Sequence, residues 1–567
     1  MTTTSDRPWL ASYAPGTPAE IEVPDEPLVA SLVRAAEQHA DRVAVDFLGR
    51  ETTYAELLSE VERAAGALHG LGVRAGDRVA IALPNGRAHV VAFWAVLRLG
   101  AVVVEHNPTY SAGELEHQLH DSGATVAICW EQTAARVAQV RARTAVTTVL
   151  AVDLSRDLPR RSRLALTLPV PAARRMRAKL RGPVPAGALR WHDVLAHAEP
   201  LAADHPYPAA GDVALLQYTG GTTGTPKGAV LTHRNLVANA AQGAVWTGLG
   251  SGSETIYGAL PFFHAFGLTL CLAFATRVGA TLVAFPTFDP DAVLRAQARR
   301  PATFMPGVAP MFDRVARAAE ARGTDLRSIR VAIAGAMPIP AETAERWERL
   351  TGGLLIEGYG MTETSPVALG NPCTPDRRPG ALGLPFPSTE IRIVDPEDPA
   401  RDVAAGERGE LLVRGPQVFS GYWQRPEETA EQLLDGGWLR TGDVVTMDDD
   451  GVVTLVDRIK EMIIAGGFKV YPSQVEDHLR TMPGVADVAV VGVPGGDLGE
   501  KVVAAVVLDD PARTVDVAAV RAWCEQRLAR YAVPRELVIM TELPRSQIGK
   551  VLRRVVRERV LAGDATA

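Results

Sequence analysis

The sequence of 567 residues contains only four cysteines and no large excess of either charge. The cysteines lie far apart, without the spacing of metal ligands or the density of a secreted disulfide framework, so we expect reduced thiols in a cytoplasmic protein. With 59 Lys and Arg against 66 Asp and Glu, the net charge of -7 gives no electrostatic reason to expect nucleic-acid binding. A disulfide scaffold is thereby excluded, and we expect no nucleic-acid partner.

Apolar runs of membrane-spanning length are also missing. The longest candidates are residues 90–104, which Arg98 interrupts, and residues 265–275, which end close to Arg277. Both fall short of the roughly 20 apolar residues that cross a bilayer as a helix. The first residues have no apolar core of a signal peptide, so export is not expected. We predict a cytoplasmic protein without a transmembrane helix.

The pattern of predicted strands and helices changes along the chain and predicts an α/β and α+β architecture. Residues 28–320 alternate short β-branched runs with helical runs, which is typical of βαβ units in parallel sheets. From about Gly383, short strands and close turns predict a small antiparallel β-barrel or sheet. We expect a large N-terminal domain over 1–456, with two βαβ-type sheets plus the small barrel, and a smaller mobile C-terminal α+β domain over 457–567.

One stretch departs from the overall charge balance. Residues 160–190 contain nine Arg or Lys and no Asp or Glu, interleaved with apolar residues. One interpretation is an exposed loop with solvated charges. The other is peripheral contact with an anionic membrane surface at its inner face, where each basic residue contributes roughly 1 kcal/mol.

The strongest local motif runs from Leu216 to His233 and reads LQYTGGTTGTPKGAVLTH. Its glycines let the backbone approach a ligand closely, its threonines supply hydroxyl groups, and Lys227 supplies a positive charge. This composition suits phosphate. The loop differs from a Walker A loop, because Gly228 rather than Ser or Thr follows the lysine. The candidate phosphate-binding residues are Thr219, Gly220, Gly221, Thr222, Thr223, Gly224 and Lys227.

With this loop, the sequence resembles the adenylate-forming superfamily, which includes acyl-CoA synthetases, adenylation domains of peptide synthetases and beetle luciferase. The resemblance continues in family order through residues 358–364 (GYGMTET), 441–443 (TGD), 457–472 (DRIKEMIIAGGFKVYP) and 543–550 (LPRSQIGK). It covers roughly residues 28–555. Within the superfamily the chain is most similar to bacterial long-chain fatty acid-CoA ligases.

The resemblance implies a nucleotide site for ATP and Mg²⁺. Thr362 would bond the α-phosphate and Glu363 would hold Mg²⁺, a hard cation that needs few carboxylates when phosphate oxygens also bind it. Asp443 would accept both ribose hydroxyls. The remaining nucleotide-binding residues implied are Gly335, Ala336, Gly358, Tyr359, Gly360, Met361 and Arg458, with Tyr359 offering an aromatic face to adenine and Gly335-Ala336 lining its other side.

The resemblance also implies two half-reactions performed in turn. Lys550 would stabilise the charge that builds up when a carboxylate attacks the α-phosphorus. The small domain would then turn about Asp457, so that the strand with Gly466, Gly467 and Lys469 replaces Lys550. His264 corresponds to an aromatic position near the acyl carboxylate, where it would steer that carboxylate or the thiol; a buried core histidine is the alternative.

Substrate identity is the least constrained part of the prediction. The stretch around His264 carries no acidic residue for an ammonium group, so we expect an apolar acyl chain. CoA is the expected acceptor. A medium-chain or aryl acid-CoA ligase, a fatty acyl-AMP ligase that loads a carrier protein, and a catalytically silent binding protein are the alternatives. A homodimer is a further expectation.

Overall fold

The structure is a computed structural model that describes residues 7–219, 226–250, 252–465, 468–495, 500–510, 512–526, 528–546 and 549–563. Its helices are α1 (Ala30–Gln38), α2 (Tyr54–Gly70), α3 (Arg87–Arg98), α4 (Ala112–Ser122), α5 (Glu131–Val140), α6 (Arg160–Thr167), α7 (Pro171–Leu180), α8 (Trp191–Ala196), α9 (His233–Thr247), α10 (Ala265–Leu268), α11 (Phe274–Arg277), α12 (Pro290–Arg299), α13 (Ala309–Arg322), α14 (Ala341–Thr351), α15 (Pro426–Gln432), α16 (Pro472–Arg480), α17 (Val517–Cys524) and α18 (Arg553–Ala562).

The strands divide among two large sheets, one small antiparallel sheet and the C-terminal sheets. In chain order they are β1 (Val43–Phe47), β2 (Arg50–Thr53), β3 (Arg78–Ala82), β4 (Val102–Glu105), β5 (Val126–Trp130), β6 (Thr148–Val152), β7 (Leu189–Arg190), β8 (Val213–Tyr218), β9 (Gly228–Thr232), β10 (Thr255–Gly258), β11 (Thr281–Ala284), β12 (Phe304–Gly307), β13 (Val331–Ala334), β14 (Leu354–Gly360), β15 (Val367–Gly370), β16 (Leu384–Pro385), β17 (Glu390–Val394), β18 (Gly409–Arg414), β19 (Leu433–Leu434), β20 (Trp438–Met447), β21 (Val453–Arg458), β22 (Ile463–Ala465), β23 (Phe468–Val470), β24 (Val485–Pro494), β25 (Glu500–Leu508) and β26 (Glu536–Ile539).

The first large sheet has the order β7-β6-β5-β3-β4-β8-β9 over the described residues. Its strands pair in parallel except for β8 with β9. Because the carboxyl ends of parallel strands meet at one edge, the ends of β4 and β8 lie side by side there. The described start of the phosphate-loop motif, Leu216 to Thr219, runs through the end of β8 at this edge.

The second large sheet has the order β16-β15-β14-β13-β12-β10-β11-β1-β2 within the described chain. The pairing of β12, β13 and β14 is parallel, and the register sets Ala334 opposite Glu357. The segments that follow these positions therefore lie at the same edge of the sheet, where residues 358–360 still pair with β15. Two sequence motifs, residues 335–336 and 358–361, are brought together in this way.

Helix starts in these sheets follow from local side-chain chemistry. Helices α2, α4 and α9 each begin with a capping box, in which a Ser or Thr hydroxyl accepts from the third helical N–H group and that residue's side chain accepts in return. The pairs are Thr53 with Glu56, Ser111 with Glu114, and Thr232 with Asn235. Such a cap fixes where the chain turns from strand to helix.

The small antiparallel sheet has the order β17-β18-β20-β19, and β21 pairs with β20. It stands where the sequence predicts a small barrel or sheet, and among the described strands its hydrogen-bond order is open rather than closed into a barrel. The long strand β20 pairs with β21 in a register that sets Asp443 opposite Arg458. The sheet thus joins two separate sequence motifs before the chain enters its last part.

The C-terminal residues form an α+β unit with apolar clusters of its own. Strand order here is β24-β25-β26, with a separate pair β22-β23, and α16, α17 and α18 pack beside them. The two apolar clusters consist only of residues from Ile463 onward. The mixed α/β and α+β class is therefore confirmed, whereas the domain boundary at residue 457 stays a prediction.

The basic stretch at residues 160–190 is largely helical, whereas one interpretation of the sequence was a loop. Helices α6 and α7 lie at the surface, where Leu164, Leu168, Val170 and Met176 are exposed. Leu180 is buried, and its carbonyl accepts a hydrogen bond from Trp130 Nε1 at 3.0 Å. In the part of the chain that is described, no helix is both long and apolar enough to cross a membrane.

Candidate functional site

Asp443 lies at the centre of the candidate site and is buried. Its Oδ2 accepts a hydrogen bond from the Tyr359 hydroxyl at 2.6 Å, and its Oδ1 lies 3.1 Å from Arg458 Nε. The Asp443 backbone N–H donates to Thr441 Oγ1 at 3.1 Å, which fixes the turn. Each carboxylate oxygen has a second lone pair, so the group is able to accept two further donors. Three motifs far apart in sequence therefore meet at one carboxylate.

Both Tyr359 and Arg458 stay protonated beside Asp443, Tyr359 as a neutral phenol and Arg458 as a charged guanidinium. Burial raises the pKa of the Tyr359 phenol well above its usual value, and the neighbouring Asp443 carboxylate raises it further. The hydroxyl is therefore neutral and acts as a donor. Burial by itself would lower the pKa of Arg458, but Asp443 and Glu461 favour the charged form, and the pKa is raised overall.

Gly335 and Ala336 follow β13 beside the end of β14. A Cβ atom on Gly335 would lie 3.0 Å from the Phe266 ring and 3.4 Å from the carbonyl oxygen of Gly358. Ala336 has φ of 69°, a left-handed conformation that non-glycine residues adopt rarely. The structure thus places Gly335 and Ala336 next to the strand that carries Gly358 and Tyr359, as the predicted adenine slot requires.

The turn after β14 carries Met361, Thr362 and Glu363. The Met361 N–H donates to the carbonyl of Pro366 at 3.0 Å, and Thr362 begins a short 3-10 turn. Glu363 is buried, and its Oε1 accepts from the Tyr422 hydroxyl at 2.6 Å. Burial, together with this carboxylate, raises the pKa of Tyr422 well above its ordinary value. Glu363 is therefore a buried carboxylate whose position is fixed by a neutral phenol.

Thr219 and Lys227 close the base of the phosphate-loop motif. The Thr219 N–H donates to the Lys227 carbonyl at 2.9 Å. Lys227 Nζ lies 5.2 Å from the centroid of the Tyr422 ring and 3.9 Å from Glu428 Oε1. Lys227 and Glu363 thus both contact Tyr422. The other predicted residues of this loop lie outside the described residues: Gly220, Gly221, Thr222, Thr223 and Gly224.

His264 precedes α10, and its imidazole is neutral. Its Nδ1 accepts a hydrogen bond from the Phe266 N–H at 3.3 Å, so the side chain caps the helix. Burial lowers the pKa of His264 to about 4. The segment around it is held by Gln217, whose Nε2 donates to the Phe263 carbonyl at 2.9 Å. The start of the phosphate-loop motif, which contains Gln217, is thereby linked to the His264 segment.

Lys550 belongs to a tight turn of the C-terminal unit that reaches the large unit. The Ser546 N–H donates to the Lys550 carbonyl at 2.8 Å, and Gly549 adopts φ of 78°. A Cβ atom on Gly549 would lie 3.0 Å from Met337 Cε, one residue beyond the Gly335-Ala336 pair. Burial and the Arg458 guanidinium lower the pKa of the Lys550 ammonium to about 8. Because Arg458 and Asp443 both influence this ammonium electrostatically, Lys550 lies in the neighbourhood of the Asp443 cluster.

Lys469 does not join this cluster. Its Nζ lies 2.8 Å from Glu397 Oε1 of the loop after β17, and this ion pair raises the pKa of the lysine. Gly466 and Gly467, predicted beside it, lie outside the described residues. The arrangement is the one expected for the first half-reaction, with Lys550 rather than Lys469 near Asp443.

Tyr422 and Thr441 belong to the site but were missing from the sequence prediction. Tyr422 lies in a Gly-Tyr-Trp segment that pairs with β9, and Ala229 forms an isolated bridge with it. An aromatic residue after a glycine was the only local signal for Tyr422. Thr441 begins the Thr-Gly-Asp motif, so its role in holding the Asp443 backbone could have been expected from its position.

Comparisons with known proteins identify the class. The family model described as AMP-binding enzyme matches residues 32–423, and the model for its C-terminal domain matches residues 474–550. The chain therefore belongs to the AMP-binding enzyme family. It is 41% identical over 557 residues to a protein of Salmonella typhimurium named long-chain-fatty-acid–CoA ligase, covering 97% of this chain and 98% of that one.

Solved structures agree with this assignment. ATP-bound MatB from Rhodopseudomonas palustris superposes with a TM-score of 0.80 at 32% identity, covering 94% of this chain and 98% of that chain. A fatty acyl CoA synthetase of Mycobacterium tuberculosis superposes with a TM-score of 0.73 at 27% identity, covering 95% and 99%. ATP and CoA both fit the family as substrates, and the expectation of small-molecule substrates is confirmed to that extent.

Gly360 offers a test of the turn that carries Thr362 and Glu363. A Cβ atom at this position would lie 1.7 Å from the Pro366 carbonyl oxygen, so the backbone must move to accept any side chain. We expect Gly360→Ala to cost about 1–3 kcal/mol of unfolding free energy. Thermal unfolding would show a lower melting temperature, and ATP binding measured by calorimetry would weaken.

The matched control is Gly70→Ala, since nothing lies within 4 Å of the added Cβ atom at the end of α2. We expect that variant to melt at or slightly above the wild-type temperature, because alanine favours helix. If Gly360→Ala melted like Gly70→Ala and bound ATP normally, the described turn would be wrong.

Proposed function

We propose that this chain is a fatty acid-CoA ligase that acts on long-chain acids. The carboxylate of the acid attacks the α-phosphorus of ATP, the bond to the β-phosphate breaks, and pyrophosphate leaves. The CoA thiol then loses its proton and attacks the acyl carbon, and AMP leaves as acyl-CoA forms. The observation that carries the proposal is the meeting of Tyr359, Asp443, Arg458 and Lys550, in a chain similar over nearly its full length to a named long-chain-fatty-acid–CoA ligase.

The nucleotide would lie along the edge where β13 and β14 end. The two free lone pairs of Asp443 suit the two ribose hydroxyls, and the half-buried Tyr359 ring offers a face for adenine opposite Gly335 and Ala336. Thr362 would donate to the α-phosphate. Lys227 and the loop from Thr219 to Gly224 would hold the departing phosphates.

Glu363 is the residue that would hold Mg²⁺ in this proposal. It is a buried carboxylate that accepts a hydrogen bond from Tyr422, the ring that Lys227 also contacts, and carboxylate oxygen is a ligand type that Mg²⁺ prefers. When bound, the ion would neutralise charge on the phosphate oxygens. The described residues contain no group of three or more His, Cys, Asp or Glu that could hold a metal, so phosphate oxygens and water would complete its shell.

Lys550 would act in the first half-reaction. Negative charge builds on the α-phosphate oxygens as the carboxylate attacks, and a half-buried ammonium held nearby stabilises it without reorganising. His264, neutral at pH 7, is suited to orient the acid or the thiol by hydrogen bonding, because it carries no charge that would compete with Lys550.

The second half-reaction requires a different arrangement of the two units. We propose domains over 1–456 and 457–567 that turn about Asp457. This carboxylate is buried and accepts from the Ser473 N–H at 2.9 Å, at the start of α16. After the turn, Gly466, Gly467 and Lys469 would take the place of Lys550 beside the path of CoA.

The acid and the acceptor are supported by different observations. The described wall around His264 is formed by neutral and mostly buried residues, which suits an apolar acyl chain. An aryl or medium-chain acid is the second candidate, and a carrier protein in place of CoA is the third. The expected homodimer stays a prediction, since one chain is described.

We also propose that α6 and α7 contact the inner face of an anionic membrane, where a long-chain acid partitions. Leu164 on α6, Leu168 between the two helices and Met176 on α7 are exposed at 69%, 52% and 50%. Seven basic residues lie on these helices, and among the described residues none of them forms an ion pair: Arg160, Arg161, Arg163, Arg174, Arg175, Arg177 and Lys179. Exposed apolar groups beside unpaired cations suit a lipid surface.

The reaction is tested with ATP, Mg²⁺ and acids from short to long chain, with and without CoA. We expect acyl-AMP without CoA and thioester with CoA, with long-chain acids preferred. Lys550→Ala should lower acyl-AMP formation by about 10²–10³, the loss of one preorganised stabiliser. Thioester formation from supplied acyl-AMP should change little. Acyl-AMP that never yields thioester with CoA would contradict the ligase proposal.

The pH dependence follows from the lowered pKa of Lys550. Its ammonium is lost as pH rises through about 8, so acyl-AMP formation should decline above that pH. The kcat/KM for ATP reports the free enzyme and is the quantity to measure. In Lys550→Arg the cation persists, so its profile should stay flatter. If kcat/KM for ATP declined identically above pH 8 in the wild type and in Lys550→Arg, titration of Lys550 would not be the cause of the decline.

Membrane contact is tested by sedimentation with phosphatidylglycerol or phosphatidylcholine vesicles. Replacing Leu164, Leu168 and Met176 by serine should weaken binding to the anionic vesicles by about 10-fold or more, at roughly 25 cal/mol per Å² of buried apolar surface. Leu561→Ser, on the exposed face of α18, is the control and should bind normally. The proposal would be contradicted if the triple variant bound anionic vesicles as well as the wild type. It would also be contradicted if the wild type bound phosphatidylglycerol and phosphatidylcholine vesicles equally.

A further inference from the structure

Arg553 is the first residue of α18 and lies three residues after Lys550. Its guanidinium forms a two-point contact with Glu476 of α16, with Nε to Oε1 at 2.9 Å and Nη2 to Oε2 at 2.7 Å. Its Nη1 contacts Glu461 in the short turn after β21, and its Nη2 lies 3.4 Å from Ser473 Oγ. One side chain thus joins three segments around the base of the Lys550 turn.

The Lys550 turn is closed at its base next to Arg553. The Leu552 N–H donates to the Pro544 carbonyl at 2.8 Å, and Arg545 and Val551 form an isolated bridge. Arg545 Nη1 also donates to the Gly549 carbonyl at 2.6 Å. Since the turn is braced internally, the direction in which Lys550 points depends on how its base is anchored.

The contacts of Arg553 continue through Ser473 to Asp457, which is adjacent to Arg458. Ser473, which Arg553 contacts, donates its backbone N–H to Asp457 Oδ2 at 2.9 Å and its hydroxyl to Oδ1 at 3.3 Å. Arg458, the next residue, lies 3.1 Å from Asp443. A continuous set of contacts therefore runs from the base of the Lys550 turn to the carboxylate at the centre of the candidate site.

Charge explains why an arginine is needed at this point. Asp457, Glu461 and Glu476 are three buried or nearly buried carboxylates that surround Arg553. Arg480, which lies 3.2 Å from Glu476, is half exposed. A buried carboxylate is costly unless it is paired and hydrogen-bonded. The planar guanidinium satisfies two of these groups at once, which a lysine ammonium does not reproduce.

We propose that Arg553 is a positioning residue for adenylation: by clamping Glu461 and Glu476, it fixes the base of the Lys550 turn so that the ammonium enters the site at Asp443. The inference rests on the proposed role of Lys550. Arg553 acts through Lys550 and touches no substrate. Its loss should therefore affect the half-reaction that uses Lys550 and spare the one that does not.

The test compares Arg553→Gln, Arg553→Lys and the control Arg554→Gln in single-turnover acyl-AMP formation. The Arg554 side chain is 62% exposed, and among the described residues its ion pair is with Glu558 on its own helix, so its loss should have no effect. Arg553→Gln should slow acyl-AMP formation by about 10- to 100-fold, as for a catalytic group displaced by about 1 Å. Arg553→Lys should recover part of the rate, and thioester formation from supplied acyl-AMP should be unchanged.

The double variant Lys550→Ala/Arg553→Gln decides whether the two residues act together. We expect it to be no slower than Lys550→Ala alone, because Arg553 has no effect on the rate once the ammonium that it positions has been removed. Losses that multiply, or equal losses in both half-reactions, would overturn the positioning role. Should Arg553→Gln fail to fold, Glu461→Gln, which removes one clamped charge, takes its place. If Lys550→Ala alone leaves adenylation intact, the proposed role of Lys550 fails as well, and the two failures are distinguished.

Discussion

The hydrogen-bonded contact of Asp443 with Tyr359 and Arg458 is the interaction on which the rest of the site depends. Tyr359 comes from the second large sheet, Asp443 from β20 of the small antiparallel sheet, and Arg458 from the end of β21, the strand that leads into the C-terminal unit. A buried carboxylate requires such partners, because desolvation without them is costly. Satisfying this one group therefore fixes the relative placement of three parts of the chain.

Side chains on both sides of this contact hold the other charged residues of the site in position. Along the large unit, neutral side chains hold charged ones in place: the Tyr422 phenol orients Glu363, and His264 stays uncharged because it is buried. Along the C-terminal unit, ion pairs around Arg553 support the turn with Lys550. In the proposed rotation, the C-terminal domain would therefore move as a rigid body, and Lys550 would keep its position relative to the rest of that domain.

The candidate site is predicted from short motifs, and the roles of most of their residues come from the resemblance to the adenylate-forming superfamily. Glycine-rich segments at strand ends and the Thr-Gly-Asp turn are visible in the sequence, and the alternation of strands and helices predicts the sheets. Contacts between distant side chains could not be found in this way. The pairing of Tyr422 with Glu363 and the helices of the basic stretch follow from tertiary packing, which outweighs local propensity. Local composition also left open whether the small antiparallel unit closes into a barrel.

The most direct test of the account is a crystal structure with a non-hydrolysable long-chain acyl-AMP analogue. The account predicts that both ribose hydroxyls donate to Asp443, that adenine lies against Tyr359 opposite Gly335, and that the Lys550 ammonium contacts the group replacing the α-phosphate. An analogue bound with its ribose away from Asp443, or with Lys550 directed into solvent while the units remain as described, would contradict it.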